Sequence, residues 1–302
     1  MNMDSKSVLI IGGNGYIGSR LMYELSAEYD ITSIDIGWYG LESNISIDYR
    51  DLTSTWLSKF EFVILLAGHS SVNMCNGELS ASWQNNVNNF IDLIGKLTND
   101  QVLIYASTGS VYNSLSKLNN EESTLRLNPA NNYDLTKYVL DINAQNFIHA
   151  GKKIIGFRFG TVNGWSPHIR DDLMINSMVK RSIDSGNINL NNLTIMRPIL
   201  GIYDIIRAVD AVIKDPKPGI YNLASFCNTV EHIGNSVANI LSSTIHLLPD
   251  TSGTYNFEMD TTKFQKIYKF EFKETLESIV LELIDNSKMT RFSNRNQFIN
   301  YV

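Results

Sequence analysis

The stretch SVLIIGGNGYIGSRLMYEL (7–25) passes from an apolar run, through a turn rich in glycine, into a helical pattern. The run at 7–12 reads as a buried strand, and Ile17, Leu21 and Leu25 share one face of the helix that follows. Gly12, Gly15 and Gly18 stand between them at a GxxGxxG spacing. Glycine permits the tight turn and lets backbone come close to a pyrophosphate, while the helix N-terminus offers free N–H groups and a positive dipole end. A glycine-rich turn alone can merely connect a strand to a helix. Here a second strand at 31–36 carries Asp35 near its end, about 20 residues beyond the turn. An acid there accepts hydrogen bonds from ribose hydroxyls and repels a 2′-phosphate, so NAD is favoured over NADP. The bland alternative for Asp35 is a strand-end turn residue.

Outward from this unit the alternation continues. Strands are expected at 62–68, 101–108 and 152–160, and helices at 83–97, with Val87, Ile91 and Ile94 inward, and at 132–148. Strands separated by helices of this length need crossover connections. The expectation is therefore an α/β fold, a Rossmann-type doubly wound parallel sheet covered on both faces. After Gly164 the pattern changes to a helix within 166–186, short strands around a turn at 188–204, and a helix over 202–213. A strand at 219–225, helices at 229–241 and 275–286, and a strand-like 243–250 follow. Residues 1–164 read as an NAD-binding domain and 165–302 as a smaller substrate-binding lobe with elements returning to the main domain. The tail SNRNQFINYV (293–302) is expected to be poorly ordered.

Composition narrows the classes. With 302 residues, 43% of them hydrophobic, the chain can bury a full core. The formal net charge of −6, with no Lys/Arg-rich patch, argues against nucleic acid as a partner. Two cysteines, Cys75 and Cys227, suit a reducing compartment better than a disulfide framework. The histidines show no metal-ligand spacing, so no metal is expected. No run of about 18 apolar residues suggests a membrane span, and the expected location is the cytoplasm.

The chemistry is carried by YDLTK (133–137). Tyr133 and Lys137 lie at i and i+4 on one helix face, so the ammonium can stand beside the phenol. A positive neighbour favours phenolate, and the expectation is a lowered tyrosine pKa. Such a tyrosine can exchange a proton with an alcohol. The competing reading has Tyr133 packed as core and Lys137 as a solvated charge.

The chain resembles the extended short-chain dehydrogenase/reductase family, in its nucleotide-sugar epimerase, dehydratase and reductase branch. The resemblance rests on GGNGYIG (12–18), RDLTS (50–54), LLAGHSSV (65–72), NNVNNFIDLI (85–94), YASTGSVY (105–112), YDLTK, FRFGTVNG (157–164) and RPILGIYD (197–204). It implies that Tyr16 and Ile17 join the glycines at the cofactor, that Asp51 and Leu52 contact the adenine, and that Leu66, Ala67 and Gly68 line the cofactor's path. It also implies that Thr108 is the hydroxyl partner of Tyr133, and that Ser71, Val72, Ser110, Thr161, Arg170 and Arg197 approach a sugar diphosphate. The implied molecule is a homodimer paired through the helices at 83–97 and 132–148. Its implied role is in precursors of cell-surface polysaccharides or other glycans.

Departures from the family pattern narrow the reaction. Dehydratases of this branch carry an Asp-Glu pair after the hydroxyl residue; here Gly109 and Ser110 stand there, and neither shuttles a proton at neutral pH. Cysteine, used at the second of these positions by epimerase/reductase relatives, is absent, and Thr161, Val162, Asn163 and Gly164 offer no base. The remaining chemistry is hydride transfer at one carbinol, C4 of the sugar, as reduction, oxidation or 4-epimerisation. An alternative from another class is a non-catalytic NAD-binding redox sensor or partner subunit, which would be expected to lose the tyrosine or lysine. Of the other polar residues, His69 reads as a loop histidine bonded to backbone, and Trp38 and Tyr39 as flanking the adenine or covering the sheet edge.

Overall fold

A computed structural model describes residues 5–38, 45–112, 118–122, 129–252 and 254–287. Tyr39 and the tail at 293–302 lie outside them.

Seven strands form one sheet, in spatial order Gly219–Leu223, Lys153–Phe159, Val102–Thr108, Phe62–Leu65, Ser7–Ile11, Asp30–Asp35 and Ile45–Ser46. Every pair is parallel. The strands are continuously apolar because both faces are covered. Leu9, Ile11, Val63, Leu65, Leu103 and Tyr105 meet Phe90, Leu93, Ile94, Leu140 and Ala144 from the helices Asn89–Lys96 and Asn132–His149. Val8, Ile10, Ile64, Ile104 and Phe157 point the other way, toward Leu21 and Leu25 of the helix Tyr16–Leu25 and toward Ile205, Val209 and Val212 of the helix Ile202–Lys214.

From Ser7–Ile11 the chain winds outward to one edge, then returns to place Phe62–Leu65 on the other side of the first strand. The order therefore reverses between these two neighbours, opening a crevice at their C-terminal ends where open α/β sheets hold ligands. The expected 83–97 helix begins earlier, with α-helical Leu79–Trp83, a π turn at Gln84–Asn88, and Asn89–Lys96. Its inward stripe differs in one place. Phe90 packs edge-on against Tyr105 at 5.1 Å between ring centres, and Ile91 is left half-buried.

A three-stranded sheet is built from Phe226–Thr229, Met196–Gly201 and Thr161–Asn163. Helix Ile202–Lys214 and strand Gly219–Leu223 then go back to the main sheet. Among the described residues no helix is long and apolar enough to cross a membrane.

Candidate active site

The glycine turn is held by contacts that leave no room for side chains. Gly12 has φ +94°, and a Cβ on it would lie 2.6 Å from the Ala67 backbone nitrogen. A Cβ on Gly18 would lie 2.3 Å from the Gly12 carbonyl oxygen, so the helix start rests directly on the turn. That helix begins after Gly15 with no side-chain cap and no acid in its first turn, an N-terminus suited to an anion. Asp35 is fixed beside it: one carboxylate oxygen accepts from the Asn14 N–H at 3.0 Å and the other from the Gly37 N–H at 2.8 Å.

These residues open on a cavity of about 680 Å³ that runs across the crevice. Gly12, Gly15, Tyr16, Ile17, Gly18, Asp35, Leu66, Ala67 and Gly68 line one end, and Ser71, Val72, Thr108, Ser110, Tyr133, Lys137, Thr161, Arg170 and Arg197 the other. Asp51 and Leu52 are not on its wall. Asp51 is exposed, Leu52 is buried in the core, and Asp48, Tyr49 and Arg50 face the cavity instead. Asp48 caps the short turn Tyr49–Asp51 by accepting from the Arg50 N–H at 2.9 Å, and the turn carries the later pair away from the crevice. Trp38 lines the same end.

Thr108 ends its strand, and Tyr133 and Lys137 occupy successive turns of the helix Asn132–His149, whose N-cap is Asn131. Thr108 and Tyr133 both line the cavity. Lys137 Nζ donates to the Ala106 carbonyl at 2.9 Å and is nearly buried. The Tyr133 phenol differs from the expectation: burial pushes it up to about 12, with the Asp134 carboxylate adding and the Thr108 hydroxyl and Arg170 opposing. Desolvation of the phenolate outweighs the nearby positive charge. The same burial lowers Lys137 to about 8.

Ser110 is not isolated from an acid. Its Oγ donates to Asp134 Oδ1 at 2.5 Å and lies 2.8 Å from Thr108 Oγ1. Asp134 is fully buried, and its Oδ2 accepts from the Tyr255 hydroxyl at 2.7 Å and from Asn131 Nδ2 at 2.8 Å. On the opposite wall Arg197 donates to Thr161 Oγ1 at 3.2 Å and to the Tyr255 carbonyl at 3.4 Å, while its buried Nε has no partner. A guanidinium so placed suits an anionic group in the cavity. Arg170 is already engaged, with both ends of its fork on Asp172 at 3.0 and 2.7 Å. The His69 ring meets side chains rather than backbone, Glu78 at 3.1 Å and Asn85 at 3.2 Å.

A family model described as the NAD dependent epimerase/dehydratase family matches residues 8–224. The chain belongs to the NAD-dependent epimerase/dehydratase family. Over 148 residues it is 30% identical to UDP-glucose 4-epimerase of Lactobacillus helveticus. That alignment takes in 44% of this chain and 44% of the relative, so the chain spans less than half the length of that curated protein. Among solved structures it is similar to UDP-glucose 4-epimerase of Thermotoga maritima with UDP-glucose, at a TM-score of 0.83 and 18% identity over 93% of this chain and 98% of that one. It is equally similar to TunA, an NAD-dependent NDP-hexosamine 5,6-dehydratase of tunicamycin biosynthesis, at 0.83 and 19% over 96% and 100%. At these identities the likeness is one of fold.

As a member of this family the chain has NAD as its cofactor, and the residues present fit it. The unobstructed turn and uncapped helix start suit the pyrophosphate, Asp35 the adenosine ribose, and the Asp48–Arg50 turn with Trp38 the adenine end. Two groups of cavity residues escape a reading of the sequence. Asp48 and Tyr49 are an acid–apolar pair like Asp51 and Leu52, and local spacing does not choose between them. Tyr255 and Phe257 enter the cavity wall from a segment with no motif of its own.

Proposed function

We propose that this protein is an NAD-dependent oxidoreductase acting on one carbinol, C4, of a nucleotide-activated sugar, as a 4-epimerase or a reductase/dehydrogenase, in the making of glycan precursors. The carrying observation is the convergence of Thr108, Tyr133 and Lys137 with the glycine turn and Asp35 on one cavity that continues to Arg197. NAD, when bound, supplies the acceptor for the hydride that leaves the carbinol carbon. Tyr133 and Thr108 hold the carbinol oxygen and exchange its proton, and Lys137, already anchored on Ala106, directs its ammonium at the ribose hydroxyls. Arg197 grasps the diphosphate with its unpartnered Nε. Residues 1–164 supply the dinucleotide wall and much of the sugar wall, which 165–302 completes with Arg170, Arg197, Tyr255 and Phe257.

The chain acts as a homodimer. Leu135, Val139 and Ile142 form an apolar line along the helix Asn132–His149, away from the sheet, with Ile142 43% exposed. Light scattering at micromolar concentration tests this, and a monomer overturns it.

The reaction is tested by incubation with UDP-glucose, UDP-glucuronic acid, UDP-N-acetylglucosamine, dTDP-glucose and their 4-keto derivatives, in deuterated water with NAD or NADH. Product NMR is read beside NADH absorbance. A 4-epimer formed without free NADH identifies an epimerase, and stoichiometric NAD reduction or NADH oxidation a dehydrogenase or reductase. Water loss, or deuterium at C3 or C5, overturns the restriction to one carbinol. Tight NAD binding with no sugar altered favours the non-catalytic reading.

A further inference from the structure

We propose that His168 is a positioning residue that ties the dinucleotide turn to the loop on the sugar side, so that NAD and the nucleotide sugar each strengthen the binding of the other. The proposal rests on the oxidoreductase reading above and adds the route by which its two ligands are coupled.

The tie starts at Asn14, in the middle of the glycine turn. Its N–H is given to Asp35 Oδ2 at 3.0 Å, and its C=O accepts from His168 Nδ1 at 2.6 Å. A carbonyl is an acceptor only, so Nδ1 of His168 carries the hydrogen. The two peptide groups flanking Asn14 are thus held by different partners, one by the acid suited to the ribose and the other by the loop that follows Gly164. That loop is also fastened along the first helix. The Tyr16 phenol donates to the Gly164 carbonyl at 2.7 Å, Ser166 Oγ donates to the Tyr16 carbonyl at 2.6 Å, and the His168 N–H donates to Ser19 Oγ at 3.3 Å. Those bonds grip the helix, whereas the His168 ring grips the turn. His168 is not itself on the cavity wall, but Arg170 and Leu173, two and five residues further on, are. Asn176 Nδ2 completes the connection by donating to the Arg170 carbonyl at 2.9 Å and to the Tyr16 hydroxyl at 3.2 Å.

Glycine loses more backbone freedom than any other residue when it is fixed. Gly12, Gly13 and Gly15 surround Asn14, so this turn is costly to hold in one conformation. A pyrophosphate seated on the turn and an imidazole bonded to it remove the same freedom. Two ligands that order a shared element bind cooperatively, and the effect is reciprocal. NAD therefore steadies the Arg170 loop through His168, and a diphosphate against that loop steadies the turn for NAD. The plain alternative is a strut that only holds the fold together. Cutting a strut lowers stability, but it does not change how far one ligand's affinity depends on the other.

The test uses the full chain, dinucleotide-free and saturated with NAD, with UDP, dTDP, GDP and CDP titrated into each form by calorimetry. Wild-type protein should bind its preferred diphosphate about 10-fold tighter when NAD is present. In His168→Ala that ratio should fall to about one, with NAD affinity in the absence of diphosphate within a few-fold of wild type. Asparagine places its amide nitrogen where Nδ1 stands, and glutamine where Nε2 stands. His168→Asn should therefore restore the ratio and His168→Gln should not. Both variants remove the ring, so their contrast holds whatever its packing contributes. With whichever nucleotide sugar is turned over, His168→Ala should raise KM about 5- to 10-fold and leave kcat within about twofold. A wild-type ratio near one, an unchanged ratio in His168→Ala, or equal ratios in the Asn and Gln variants overturns the tie and leaves the oxidoreductase reading intact. If none of the four diphosphates binds the NAD-loaded protein, the nucleotide-sugar reading falls together with the tie.

Discussion

Replacing Lys137 with methionine should stabilise the protein while abolishing its turnover. The ammonium is 9% exposed, and burial brings its pKa from 10.5 to about 8. Between these two values the unfolded chain binds a proton that the folded chain does not, so folding stability rises with pH across that window. Below pH 8 both forms are protonated, and the penalty for holding the charge in the fold is fully present. At about 1.4 kcal/mol per unit it amounts to roughly 3 kcal/mol at pH 7. Methionine removes the penalty and the charge-assisted hydrogen bond to Ala106, the latter contributing about 2 kcal/mol. The net expectation is about 1 kcal/mol of added stability at pH 7, or roughly 2 °C in Tm for a chain of this size. The gain should vanish above pH 10.5, where wild-type Lys137 is neutral in both states. Thermal and urea unfolding of dinucleotide-free protein at pH 7 and at high pH measures this. A Lys137→Met variant that is less stable at pH 7, or whose advantage does not shrink with rising pH, refutes the reasoning that burial rather than pairing governs this side chain.

Tyr133→Phe should lower turnover by about 10²-fold or more and leave NAD affinity within a few-fold, as stopped assays and titration calorimetry would show. Asp35→Ala removes an acceptor from both the Asn14 and Gly37 N–H groups and the charge that opposes a 2′-phosphate; NAD binding should weaken and its advantage over NADP narrow, measured by cofactor titration. Asp141→Asn strands the Arg158 guanidinium, which is 3% exposed and bonded to Asp141 at 2.7 Å, so unfolding free energy should fall by about 3–5 kcal/mol in urea titration.

The order of strands and helices, the turn that opens the crevice, and the Tyr133–Lys137 pair are all legible in the chain itself. Each depends on local periodicity: two residues per strand repeat, 3.6 per helical turn, and glycine where backbone must come close. Gly12 and Gly18 could be read this way because their role is steric and lies within a few residues. Asp48 against Asp51 could not, because which acid reaches the cavity depends on the cap of a three-residue turn. Nor could the meeting of Asp134 with Tyr255 across 121 residues, or of Arg197 with Thr161 across 36. The direction of the Tyr133 shift was the least accessible. Spacing places a lysine one turn from a tyrosine, but whether the phenol is raised or lowered depends on how much water the packed elements exclude from both, a property of the closed tertiary structure alone.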